Sequence, residues 1–269
     1  MERALTGIDS HAHIFRRGLR LARVRRYAPG YDATLRDYLR QLDAHGLSHG
    51  VLVQPSFLGT DNSFMLAALA AEPERLRGIA VVEPGVPRET LAAMDRGGVT
   101  GIRLNLADAP LPDLDGGSWP ACLDLVAELG WQVEVLRPAR DLPALVATLL
   151  RRGVDVVVDH FGMPDPAMGV ADPGFRGLLA LAGSRRVWVK LSGQYRNGAG
   201  LTRAAMPLLR EAFGLDRLVW GSDWPHTRFE GEVDYGEARA HLDAWIPDPA
   251  ERRVVLEETA ARLFRFGIY

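Results

Sequence analysis

Only one cysteine, Cys122, and one lysine, Lys190, occur in 269 residues. A lone cysteine excludes an internal disulfide framework and any cysteine-based zinc site. The scarcity of lysine is offset by 31 arginines, since lysine and arginine together number 32. Excess charge is also missing. The 34 acidic residues leave a formal charge of −2, which is no footprint for nucleic acid. No apolar run approaches the ~18 residues of a membrane span. The opening Met1-Glu2-Arg3-Ala4-Leu5-Thr6-Gly7-Ile8-Asp9-Ser10 carries no apolar signal core, so the expected location is the cytoplasm. Repeats, low-complexity tracts and Pro/Gly-rich linkers are lacking too, and the expectation is one domain over residues 1–269.

What is present is alternation. Short β-branched runs at 7–15, 50–54, 77–82, 99–104, 131–136, 154–159, 187–192 and 217–221 read as strands. Amphipathic segments at 33–44, 63–71, 88–96, 119–129, 142–151, 174–181, 202–213 and 235–245 fall between or after them, and 249–264 closes the chain. Eight strand–helix repeats predict an α/β fold, a (β/α)8 TIM barrel in a single domain. The run Val154-Asp155-Val156-Val157-Val158 is apolar enough for a parallel strand buried on both faces. A doubly wound sheet would carry a glycine-rich phosphate turn after its first strand, where this chain has His11-Ala12-His13.

Barrel sites form at the C-terminal ends of strands, so polar residues there are the candidates. The first strand ends Ile8-Asp9-Ser10-His11-Ala12-His13, and a period of two puts both imidazoles on one face. The sixth ends Val158-Asp159-His160-Phe161-Gly162 and the eighth Trp220-Gly221-Ser222-Asp223-Trp224-Pro225-His226. A carboxylate among such apolar neighbours needs a charged partner or a metal, and Asp223 also stands where a general base is wanted. His11, His13, His160 and Asp223 form a ligand set suited to one divalent ion, zinc or alternatively manganese. Taken singly, each histidine could be a satisfied core group; three strand ends together favour a site.

These segments, with Val189-Lys190-Leu191-Ser192-Gly193, resemble the amidohydrolase superfamily over nearly the whole chain, and within it the amidohydrolase-2 branch of pyrone-dicarboxylate and sugar lactonases. The resemblance implies hydrolysis of a small lactone. Asp223 would be the general base, and His11, His13 and His160 would bind a metal or polarise the carbonyl without one. The fifth strand has no histidine, which favours one metal or none over a two-metal site. Positions matching substrate contacts are Ser56, Arg103, Arg196 and His226, with Arg103 the best placed. Three family positions differ: Met163 and Leu136 replace an arginine and a tyrosine, and no arginine occurs in 105–112. These losses predict a lactone with at most one carboxylate.

Lys190 belongs to a shared motif, with packing, ion-pair and catalytic roles all open. Asp9 is expected deeper on the His11 face, as a partner for a histidine. His45, His49 and His241 are read as surface or packing groups, and Trp188, Trp220 and Trp224 as core and rim aromatics. The competing readings are a metal-dependent decarboxylase of a carboxylated ring and a non-catalytic barrel. The expected partner is a small-molecule substrate, with no nucleic acid and no membrane; a homo-oligomer rests only on the family's habit.

Overall fold

The computed structural model describes residues 4–267, so the outermost ends of the predicted 1–269 domain lie outside the described residues. Eight strands run parallel in chain order: β1 (Ile8–Ala12), β2 (His49–Val53), β3 (Leu76–Ala80), β4 (Val99–Asn105), β5 (Gln132–Leu136), β6 (Asp155–Val158), β7 (Val187–Leu191) and β8 (Leu218–Trp220). The helices are α1 (Leu35–Ala44), α2 (Ser63–Ala71), α3 (Arg88–Arg96), α4 (Trp119–Glu128), α5 (Leu142–Arg151), α6 (Pro173–Ala180), α7 (Gln194–Asn197), α8 (Ala199–Phe213), α9 (Tyr235–Trp245), α10 (Pro249–Arg253) and α11 (Ala260–Phe264). A π-helical stretch, Val254–Thr259, joins the last two. This is the (β/α)8 barrel that the alternation predicts. Among the described residues no helix is long and apolar enough to cross a membrane.

Local chemistry sets the helix starts. Thr34 and Asp37 form a reciprocal capping box before α1, and Asp234 and Glu237 form another before α9. Each such cap is worth about 1 kcal/mol. The main core lies between strands and helices. A smaller cluster of Ile8, Val51, Val53, Ile79 and Val219 packs on Phe264 and Phe266 from the chain's end. The β4, β5 and β7 side of the interior is instead charged: Arg103 registers with Glu134, and Lys190 with Val219. One side of the barrel is thus apolar and the other holds ions.

The first strand differs from expectation at its end. It stops at Ala12, and Phe15 instead exchanges backbone hydrogen bonds with Ala33, in an antiparallel bridge that turns the chain away from β2. The seam between β1 and β8 closes at the C-terminal end, where Asp223 N donates to His11 O (2.8 Å) and His13 N to Trp224 O (2.7 Å). Gly221 makes that closure possible, because a Cβ there would lie 2.5 Å from His11 Cβ and 2.8 Å from His11 N. The same small residue that lets the seam close brings His11 and Asp223 together.

Candidate active site

His11, His13, His160 and Asp223 meet at the mouth of the barrel. The His11 and His13 ring centroids are 4.9 Å apart, and those of His11 and His160 are 5.1 Å apart. The Nε2 atoms of His11 and His13 stand 3.7 and 3.6 Å from Asp223 Oδ1, while His160 Nε2 is 3.9 Å from Oδ2. All four residues are buried. His160 (φ 50°) and Asp223 (φ 60°) both take left-handed backbone, a conformation that costs free energy and re-aims a side chain at a strand's end.

The far nitrogens are each held. His13 Nδ1 donates to the Val53 carbonyl at 2.7 Å, which fixes its tautomer, because a carbonyl only accepts. His160 Nδ1 lies 2.8 Å from Ser192 Oγ. At Gly193 (φ 58°) a Cβ would come within 2.8 Å of that same nitrogen, so this turn accepts only glycine while His160 stays in place. His11 Nδ1 faces Lys190 Nζ at 3.0 Å and Asp159 Oδ1 at 3.4 Å. Lys190 is therefore turned inward and wholly buried, with Glu134 Oε1 at 2.6 Å and Asp159 Oδ1 at 3.5 Å. It belongs to an ion network under the site. Burial pushes Glu134 up to about 7 despite Lys190. At Asp159, burial is outweighed by Arg103 and Lys190, which hold that carboxyl well below its usual range.

Burial likewise favours neutral imidazoles. It lowers His160 to about 4, and together with Lys190 it holds His11 well below the usual histidine range. Asp223 goes the other way: burial is overcome by Arg196 and the surrounding histidines, and its carboxyl stays well below the usual range. Its Oδ2 accepts from Tyr195 Oη (2.6 Å) and Arg196 Nε (2.8 Å). Oδ1 has no hydrogen-bond partner, and neither does His11 Nε2.

Those two orphaned buried atoms test the fit of a cation. His11, His13 and Asp223 each offer one ligand atom within 4.8 Å of the others, and the grouping of His11, Asp159 and His160 does the same. Neutral imidazoles with their outer nitrogens anchored, beside an ionised carboxylate, form a set that a divalent ion satisfies. The residues fit.

A cavity of about 510 Å³, including its open mouth, lies over this cluster. Of the residues predicted from sequence, His13, Ser56, Arg103, His160, Arg196 and Asp223 line it. Arg103 reaches it from β4, but its Nε and Nη2 both bond to Asp159 Oδ2, at 3.1 and 2.9 Å. Arg196 is likewise engaged, with Asp223. His226 is not among the lining residues: it is buried, with its ring edge-on to Tyr195 at 5.8 Å. Asp9 does not meet a histidine ring. It accepts from the His11 and Ser222 amides, the Ser222 hydroxyl and Tyr235 Oη, and so braces the seam's backbone. His45 stacks on Tyr235, and His49 is buried against Phe266.

Sequence reasoning missed Tyr195, Arg26, Tyr27 and Arg228. Tyr195 adjoins a predicted residue but lies beyond the strand's end. The other three sit on long loops, which strand-end logic does not reach.

A parallel barrel with a His–X–His pair at the end of strand one, a histidine after strand six and an aspartate after strand eight at one mouth is the pattern on which the sequence resembles hydrolytic barrel enzymes. The amidohydrolase family profile matches residues 8–266, and the chain belongs to that family. It is 28% identical over 266 residues to the 4-sulfomuconolactone hydrolase of Hydrogenophaga intermedia, covering 95% of this chain and 88% of that protein. Against the 2-pyrone-4,6-dicarboxylate hydrolase of Comamonas testosteroni the identity is 31%, over 84% of this chain and 79% of the other. A Pseudomonas putida crystal structure, provisionally designated a 2-pyrone-4,6-dicarboxylic acid hydrolase, superposes with a TM-score of 0.94 at 50% identity. That match covers 99% of this chain and 100% of the other.

Proposed function

We propose that this enzyme opens a small anionic lactone, with Asp223 Oδ1 as the general base. The chain is a hydrolase acting on a cyclic ester, and its relatives are named for hydrolysis of a sulfomuconolactone and a pyrone dicarboxylate. One observation carries the assignment of the base: Asp223 Oδ2 is doubly capped while Oδ1 is uncapped and faces His11 and His13. That oxygen accepts a proton from water as the water adds to the lactone carbonyl. It then returns the proton to the ring oxygen as the acyl C–O bond breaks, leaving a hydroxy acid. Tyr195 and Arg196 keep the carboxylate ionised and aimed throughout. His13 carries its proton on Nδ1, so His11 and His160 are the imidazoles left to donate from Nε2 to the oxygen where negative charge develops.

His11, His13 and Asp223 would hold one divalent ion, zinc or manganese, with His160 beside them. Such an ion supplies Lewis-acid polarisation of a carbonyl. Ser56 borders the cavity at the end of β2, and Arg103 offers Nη1, which its bonds to Asp159 leave unused. Proton release on lactone addition, lost in Asp223→Asn, tests this reading.

A further inference from the structure

The loop between β1 and α1, residues 13–34, crosses the barrel mouth and is tied down on three sides. Ala22 N bonds to Phe57 O at 2.8 Å, on the turn after β2. Tyr27 and Tyr31 both donate to Glu230 Oε1 at 2.7 Å, on the segment after β8. Arg26 reaches the end of β4 and the segment after it, with Nη2 on Asn105 Oδ1 at 3.2 Å and Nη1 on Asp108 Oδ2 at 2.9 Å. This places its guanidinium on the cavity wall, in a stretch that has no arginine of its own.

The charges lining the cavity do not balance. Arg26, Arg103, Arg196 and Arg228 line it; Asp159 neutralises Arg103, and Asp223 neutralises Arg196. The two rim arginines remain. Arg228 makes no ion pair among the described residues, and Arg26 has only Asp108, a side chain 68% exposed that pairs with one 37% exposed. An exposed pair of this kind is worth little, about 0–1 kcal/mol, so an incoming anion can replace Asp108 readily. A carboxylate matches the guanidinium fork and the pre-held direction of Arg26.

We infer that Arg26, with Arg228, forms a second anion subsite on the rim, and that it selects lactones carrying two anionic groups over those carrying one. This deepens the lactone-hydrolase reading and rests on it for the word lactone. It replaces the expectation of at most one carboxylate, which counted only arginines near strand ends.

The test is calorimetric binding of two unreactive probes, benzene-1,3-dicarboxylate and benzoate, to the wild-type protein, Arg26→Met and Arg228→Met. Wild type should prefer the dicarboxylate by about tenfold or more. Arg26→Met should cut that preference about tenfold to a hundredfold, and Arg228→Met should cut it less. Equal affinity of wild type for both probes would overturn the subsite. So would equal weakening of both in Arg26→Met, which would make Arg26 only a tie for its loop. The same ratio is then read in kcat/KM for lactones with one and two carboxylates. If no lactone turns over while the binding preference holds, the hydrolase reading fails and the anion subsite stands. Turnover with no preference for the doubly charged lactone would do the reverse.

Discussion

Tyr195 Oη donates to Asp223 Oδ2 across 2.6 Å, and this bond decides which oxygen of the carboxylate can act. Arg196 Nε shares that oxygen, so Oδ1 alone is left uncapped, toward His11 and His13. Tyr195→Phe should therefore lower kcat by about tenfold to a hundredfold, in keeping with loss of one hydrogen bond to a charged group. Steady-state kinetics check it. A KM effect with unchanged kcat would place Tyr195 on the substrate instead.

Asp223→Asn keeps the size and removes the proton acceptor. Its kcat should fall about 10²–10⁴-fold, with circular dichroism unchanged. Retention of more than about a tenth of the rate would put the base elsewhere.

Arg103 is tied to Asp159 by two hydrogen bonds deep in the barrel. Arg103→Met leaves the buried Asp159 carboxylate with Lys190 as its one remaining cation, and breaking such a pair costs up to about 3–5 kcal/mol. The urea midpoint should drop accordingly, alongside any effect on kcat/KM. Loss of kcat/KM at full stability would mean that Arg103 serves the substrate alone.

The buried histidines set an acid limit on stability. His160 is lowered to about 4, below its unfolded value near 6.5. The unfolded chain therefore binds the extra proton first, and stability falls as pH drops from about 6.5 toward 4. Each such histidine contributes up to about 1.4 kcal/mol per pH unit. Denaturation midpoints at pH 7 and pH 5 should show this slope, and His160→Gln should reduce it. A slope unchanged by the substitution would contradict the neutral, desolvated assignment.

Chelation addresses the ion. If His11, His13 and Asp223 hold one divalent ion, purified protein should contain about one equivalent, and stripping it should lower both the unfolding temperature and the rate. Full activity and stability after stripping would leave polarisation of the carbonyl to the imidazoles.

Much of this was legible in the chain because barrels encode their strands strongly. The β-branched runs around Val51, Val133 and Val156 lie within observed strands, and the four site residues follow from strand ends. Two kinds of information were not local. The bridge from Phe15 to Ala33 is a loop pairing with no periodicity to announce it. Arg26 and Tyr195 act through partners distant in sequence, Asp108 and Asp223, so their placement is tertiary. Lys190 lay between the two cases: its motif marked it, but only the fold turns it toward His11 and Glu134.

Ring opening by water with Asp223 as the base makes a definite stoichiometric demand. It is tested most directly by titrating proton release and carbon dioxide together, on purified wild type and Asp223→Asn, with five- and six-membered lactones bearing carboxylates. One proton per lactone consumed, no carbon dioxide, and near-complete loss of both substrate turnover and proton release in the variant are expected. Carbon dioxide released in step with substrate loss, or proton release undiminished in Asp223→Asn, would contradict it.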